Sequence, residues 1–414
     1  MARVQELPVD DLLTIDQAIA VLDAHAVTPE RVVLSLDDPA LRGSALVGDI
    51  YADRDEPPLD RSLMDGYAVA DLTAVRLRVV GEVPAGRRWT TPLRPGECVA
   101  IMTGAPLPPA AVAVVPVEHA TRDGDELAIH RPAKAGQAIA LAGSYMRWGE
   151  PVLKAGTVVT PQAIGLLVSA GAGRHGAEVY RRPHVGVLTG GDEIVPASDH
   201  PGPEQTRNSS GPMLRALVTA LGGRAVDLGH AADTAESVRK HVIAAGARCD
   251  ALLVTGGMSV GAHDHVPAVL RDLGYAMPVT KLRIKPGKPF VFATWHRNAA
   301  DEESPPPIVF GLPGNPVSAY VCTLLLAARV LRRMAGSSAE TVWRPAALTG
   351  DLPANGPRAF YQPAVRDSDR VIALDWKGSG DLLTLAAANA LLCRPVGDPP
   401  KKAGEVVSVT DLPV

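Results

Sequence analysis

Aromatic side chains make up only 4% of the sequence, and cysteine occurs four times in 414 residues. With so few rings, the cores must be built from Ala, Val, Leu and Ile. Cys98, Cys249, Cys322 and Cys393 stand too far apart for a zinc-type CxxC pair. They read as small core residues in a reducing compartment. An excess of one charge sign is also missing, because 41 Lys and Arg against 45 Asp and Glu leave a net charge of −4. That balance gives no broad footprint for nucleic acid or an anionic membrane. Any anionic substrate must therefore be held by a local cluster of cations. The uncharged stretch 308–328 opens as IVFGLPGNP, where two Pro and two Gly break a spanning helix. The start, MARVQELPVDDLL, has early acids and no apolar h-region, so it does not read as a signal peptide. The chain reads as a soluble cytoplasmic protein.

What is present is glycine and proline, 39 and 37 of them, which predicts many short elements with fixed turns. The length allows two to four domains. Thr14-Ile15-Asp16-Gln17 is a capping-box pattern that opens an N-terminal helix. Residues 46–147 break into short apolar runs such as LRVVGEV and CVAIMTGAP, the pattern of a small β domain. A helix then starts at Thr160-Pro161 and stops at Gly171. It is expected to pack on the N-terminal helix, so that 1–45 and 148–179 form one discontinuous domain. Over 180–335, strands at 185–189, 224–229, 251–255 and 308–311 alternate with helices, which predicts a doubly wound, mostly parallel sheet. Residues 336–414 turn β-like again (AFYQPAV, RVIALD, LLTLAA, EVVSV), a C-terminal barrel or sandwich. The fold class is thus multidomain, α/β and β. The polar run 296–307 reads as a surface hairpin loop, and the pairs Arg181-Arg182 and Arg332-Arg333 as solvated element ends.

Open α/β sheets bind ligands beyond the carboxyl ends of their strands. Those ends carry Thr189-Gly190-Gly191-Asp192-Glu193, the run Thr255–Asp264 with Gly256, Gly257 and Ser259, and Gly311-Leu312-Pro313-Gly314-Asn315-Pro316. Glycines let backbone approach an anion closely, and each loop feeds a helix N-terminus. Lys281, Lys285 and Lys288 gather cations nearby, and Asp192, Glu193, Asp233 and Asp264 stand at the rim. Carboxylates beside a phosphate site point to a hard cation such as Mg²⁺. The residues alone thus lead to a phosphate-handling, Mg²⁺-assisted enzyme. Blander roles stay open. Asp233 with Glu236 also makes a capping box, Asp264 also suits a cap before Val266, and Asn315-Pro316 suits a helix start. The three lysines equally suit an ordinary surface strand. His263 and His265 flank Asp264, but no third ligand implies zinc.

Taken in order, PPLDRSLMDGYAV (57–69), IMTGAPLP (101–108), VLTGGDEIV (187–195), TGGMSVGAHD (255–264), IKPGKPFVF (284–292) and GLPGNPVSA (311–319) resemble the MoeA family of molybdopterin molybdenumtransferases, which includes the E domain of gephyrin. The resemblance covers almost the whole chain. It implies four domains, with 180–335 of the molybdopterin-binding type, and a homodimer whose sites combine both subunits. The implied reaction inserts molybdate into adenylyl-molybdopterin with Mg²⁺, releasing AMP and forming molybdenum cofactor. A molybdopterin adenylyltransferase is a candidate partner. By position, the resemblance puts Asp65 and Thr103 in the cleft. It assigns Glu193, Asp233 and Asp264 to Mg²⁺ or to polarising water, and Lys281 and Lys285 to molybdate or phosphate. Lys288 and Pro313-Gly314-Asn315-Pro316 extend that wall, and Arg358 and Ser379 approach it from the C-terminal domain. This chain departs from the family pattern at Gly190 (usually Thr), Pro151 and Val112 (usually acidic) and Lys377 (usually Gln). The alternatives are a diverged binding or scaffold paralogue, and tungstate insertion.

Overall fold

The computed structural model describes residues 12–25, 27–258, 265–295 and 306–413. Ser259, Asp264 and the expected hairpin loop, apart from Pro306 and Pro307, lie outside them. The chain forms two compact units. One holds the described residues up to Val32, then Gly43–Val47, and all those from Glu178 onward; the other holds Val33–Arg42 and Gly48–Ala177.

The first unit is built on a six-stranded sheet in the order Arg224–Ala231, His184–Gly190, Ala251–Thr255, Ile308–Leu312, Pro289–Trp295 and Tyr275–Lys281. The first four strands run parallel, Pro289–Trp295 runs against them, and Tyr275–Lys281, antiparallel to it, points with the first four again. Every residue of the central strand Ala251–Thr255 is buried, as a strand covered on both faces demands. Alternate side chains feed two cores. Val187, Leu253, Phe310 and Leu312 join helix Ser210–Ala220 and the helix that begins at Pro316. Leu188, Leu252, Val254 and Val309 join Val238, Val242 and Leu270 on the other face. The sheet is therefore doubly wound, as expected. The helix from Pro316 runs to Met334 through one π-turn at Thr323–Ala327.

The N-terminal helix Ile15–Ala24 has the expected capping box, with Thr14 and Gln17 bonded to each other's backbone N–H. Its packing differs from expectation. Ala18 and Leu22 belong to the core of the α/β sheet, whereas helix Pro161–Ser169 lies in the second unit. The α/β core also offers this helix a charged clasp: Arg329 chelates Asp23, and Arg333 donates to the carbonyls of Leu22 and His25. Arg333 is thus a helix C-cap, not a solvated end. Arg181 and Arg182 are corrected likewise. Arg181 forks onto Asp250 and also meets Glu30, while Arg182 donates to the carbonyls of Gly222 and Gly223.

The C-terminal strands close on themselves in the order Ala359–Asp367, Arg370–Ala373, Arg344–Leu348, Val406–Asp411 and Ala390–Arg394, which returns to Ala359–Asp367. This five-stranded barrel carries Ile284–Lys285 as an extra parallel rung on Ala359-Phe360. LLTLAA, read as β-like, is instead helix Leu382–Ala387. Asp381 accepts from the Thr384 N–H, so a local N-cap overrides an apolar run too short to settle its own period.

The second unit is centred on another six-stranded sheet: Ala113–Pro116, Gly66–Val69, Glu97–Ile101, Arg76–Val83, Glu126–Ile129 and Ala120–Asp123. No helix among the described residues is long and apolar enough to cross a membrane.

Candidate active site

Three strand-end loops of the α/β sheet meet at glycines. A β-carbon on Gly256 would stand 2.6 Å from the Gly190 carbonyl oxygen, and one on Gly314 would stand 3.8 Å from the Gly256 Cα. Gly256 also has φ +85°, a left-handed conformation that only glycine adopts without strain. The loops after three neighbouring strands therefore touch backbone to backbone. Thr189, Gly190, Ala231, Asp233, Thr255, Gly256, Gly257 and His265 line a small cleft on the side of Gly190 and Gly256, between the ends of strands His184–Gly190, Arg224–Ala231 and Ala251–Thr255.

Two acids lock the rim of this cleft. The Asp233 N–H donates to Asp192 Oδ1 at 3.0 Å, and the Asp192 N–H donates to Asp233 Oδ2 at 3.3 Å. Asp233 does not cap the following helix. Thr234 does, its Oγ1 accepting from the Ser237 N–H at 3.2 Å. The carboxylate of Asp233 is therefore not committed to the helix and stays with the cleft. Glu193 folds its carboxylate back over Gly191, where a β-carbon would come within 2.5 Å of it. Among the described residues, no three His, Cys, Asp or Glu side chains gather into a metal-binding group.

The line of contacts continues away from the acids. Asn315 holds the N-cap position of the Pro316 helix but makes no side-chain cap. It donates instead to Ser379 Oγ at 2.9 Å, and the Ser379 carbonyl accepts the Val317 N–H at 3.1 Å. Pro313 is buried behind Gly314, and Pro316 fixes the first turn. Three residues before Ser379, the Trp376 ring lies 5.3 Å below the Lys285 ammonium. Phe360 lies 4.6 Å from the same ammonium. Lys285 is exposed at the rung that joins the sheet's edge to the barrel. Lys281 is half-buried at the end of strand Tyr275–Lys281, and the Lys288 carbonyl accepts the Leu282 N–H. Arg358 adjoins Ala359 on that barrel strand. Its carbonyl accepts from Asn355, and its side chain joins no ion pair among the described residues.

In the second unit, Thr103 donates both its N–H and its hydroxyl to Asp65 Oδ1, at 2.7 and 2.8 Å. These two donors hold the exposed Asp65 carboxyl below the usual aspartate range, the backbone N–H contributing most. Gly66 follows because no side chain fits there: a β-carbon would stand 2.2 Å from the Val115 carbonyl oxygen of the neighbouring strand.

Residues 13–171 match the MoeA N-terminal region (domain I and II), 186–333 the probable molybdopterin binding domain, and 345–412 the MoeA C-terminal region (domain IV). A molybdopterin molybdenumtransferase of Nostoc is 30% identical over 91% of this chain and 88% of its own length. That of Synechococcus elongatus is 32% identical over 89% and 91%. The chain belongs to the MoeA family. The structure agrees: the molybdopterin biosynthesis MoeA protein of Pyrococcus horikoshii superposes with a TM-score of 0.78 at 29% identity, covering 97% of this chain and 99% of that one. The chain is accordingly a transferase of molybdenum cofactor biosynthesis.

Set in that family, the departures have visible local settings. A β-carbon at Gly190 would lie 3.4 and 3.6 Å from the Thr255 and Ala231 carbonyl oxygens and 3.9 Å from Asp233 Oδ1, ordinary contact distances, so the site does not itself demand glycine. Pro151 starts a short strand paired with Tyr51, and the Val112 N–H donates to the Val69 carbonyl. Lys377 is exposed, its N–H held by Asp381. Asn208 was missed by sequence reasoning. It donates to the buried Thr189 hydroxyl at 2.8 Å and accepts the Gly211 N–H at 2.9 Å, tying the first loop to the start of helix Ser210–Ala220. The only signal was an Asn just ahead of a predicted helix.

Proposed function

We propose that this MoeA-family transferase inserts molybdate into adenylyl-molybdopterin, releasing AMP and leaving molybdenum in the pterin dithiolene. The observation that carries the reading is the meeting of Gly190, Gly256 and Gly314, which with the Asn315–Ser379 bond and the short chain from Ser379 back to Trp376 links the Asp233 loop to Lys285. Breaking a phosphoanhydride needs charge neutralisation and positioning more than a protein nucleophile. Exposed backbone N–H groups at the strand ends suit the phosphates. Lys281, Lys285 and Lys288, with Arg358 and Ser379, suit a dianionic oxyanion substrate.

Glu193, Asp233 and Asp264 would hold Mg²⁺, which when bound would neutralise phosphate charge. The donor set fits. The carboxylates are hard oxygen ligands, and Mg²⁺ usually takes one or two of them and completes its shell with water and substrate phosphate. Asp65 and Thr103 supply a second polar surface for the substrate, and the working form is a homodimer. A molybdopterin adenylyltransferase would deliver the substrate. The division into 46–147, 180–335 and 336–414 is the domain plan that goes with this reading, with helix Ile15–Ala24 joined to the α/β core.

The test follows AMP release from adenylyl-molybdopterin and Mg²⁺ with and without micromolar molybdate. Molybdate-dependent release with metal retained in the pterin is expected. Substrate binding with no molybdate-dependent release would overturn the proposal in favour of a storage or scaffold role.

A further inference from the structure

We propose that Phe360 and Trp376 form an aromatic shelf that positions the Lys285 ammonium for the incoming oxyanion. Three observations meet here. The ammonium stands 4.6 Å from the Phe360 ring centre and 5.3 Å from that of Trp376. The two rings lie 5.3 Å apart, tilted by 40°, so each holds the other. Finally, Lys285 and Phe360 are register partners on the rung between the α/β sheet and the barrel, which fixes the lysine backbone relative to one ring.

The choice of tryptophan points the same way. The Trp376 indole N–H is buried and meets no acceptor among the described residues. A residue present only for packing would avoid that cost, since phenylalanine fills similar space without an orphan donor. What tryptophan offers beyond other rings is the strongest attraction for a cation above its face. An exposed lysine otherwise samples many rotamers, and ordering it for each binding event weakens affinity. A shelf that holds the ammonium in place lowers that cost. The partner held ready is a compact tetrahedral dianion. Phe360 and Trp376 are positioning residues, since they act through Lys285.

This inference rests on Lys285 serving the oxyanion, so the experiment keeps the two ideas apart. Full-length protein would be reductively methylated with ¹³C on its lysines, and the Lys285 resonance identified by its loss in Lys285→Ala. The shelf places that resonance upfield through ring currents, whatever the activity. Phe360→Leu and Trp376→Leu should each move it back to the ordinary lysine position. Each should also raise the molybdate KM for AMP release about fivefold, with kcat within about twofold. Phe360→Tyr should restore both readouts. Trp376 is half-buried outside the barrel strands, so Trp376→Leu carries the test alone if Phe360→Leu does not fold. If Lys285→Ala raises KM while the ring variants leave it unchanged, the shelf is wrong and the lysine's role stands. If Lys285→Ala leaves KM unchanged, the lysine's role falls and the shelf falls with it.

Discussion

The two units hold their acids in different ways. In the β unit, Asp65 is gripped by a single residue, Thr103, whose two donors both end on Oδ1. In the α/β unit, Asp192 and Asp233 trade bonds, each carboxylate accepting the other's N–H across 41 positions of sequence. The first grip depends on one residue, its backbone N–H more than its hydroxyl. The second depends on two loops arriving together, beside the close approach of Gly256 to Gly190. The α/β unit should therefore be the more sensitive, at Gly256, and the β unit the less, at the Thr103 hydroxyl.

Gly256→Ala is expected to have the largest effect. Its β-carbon would sit 2.6 Å from the Gly190 carbonyl oxygen, backbone that cannot swing aside, at φ +85°. We expect a loss of about 1–3 kcal/mol in stability and loss of molybdate-dependent AMP release, measured by chemical denaturation and product assay. A variant with wild-type turnover would mean that the loops need not touch.

The next prediction separates chemistry from capping within one turn of chain. Asp233→Asn should lower turnover by about 10- to 100-fold with little change in stability, because Thr234 caps the helix. Thr234→Ala should do the reverse, costing about 1 kcal/mol with turnover nearly unchanged. Equal losses of stability in both variants would restore Asp233 to a structural role.

That pair also shows how much could be read from the chain. From sequence, Asp233-Thr234-Ala235-Glu236 reads as a capping box led by Asp233 or as a cleft acid. The structure chooses Thr234 because Asp233 is engaged by Asp192, 41 residues away. The same distance effect hid Asn208, whose partner Thr189 belongs to another element, and the Arg181–Asp250 fork. Some patterns that close within four residues were legible, as at Thr14-Gln17 and Pro161, while the Asp381–Thr384 cap was hidden in an apolar run. So were the strand-end glycine loops, since their composition announces close backbone approach. Trp376 was not legible: its neighbours in sequence are polar, and its meaning comes from Lys285, which lies 91 positions earlier (376 − 285).

The smallest effect is expected in the β unit and concerns pH. Thr103→Val deletes the hydroxyl donor to Asp65 but leaves the backbone N–H, the larger of the two causes that depress this carboxyl. The Asp65 pKa should therefore rise toward the ordinary 3.8 without reaching it, as read by ¹³C titration of the carboxyl carbon. The sign of any stability effect follows from the depressed folded value. The grip helps the folded state fully above the unfolded pKa near 3.8, and its help fades as pH falls through the lower folded pKa. Whatever the hydroxyl contributes should then be present in full near neutral pH and fade as pH falls below about 3.8, and it should be small because Asp65 is exposed. A shift of Asp65 all the way to 3.8 would show that the backbone bond depends on the side chain. The β unit's acid would then rest wholly on the Thr103 side chain, and its contrast with the mutually held pair Asp192 and Asp233 would be sharper still.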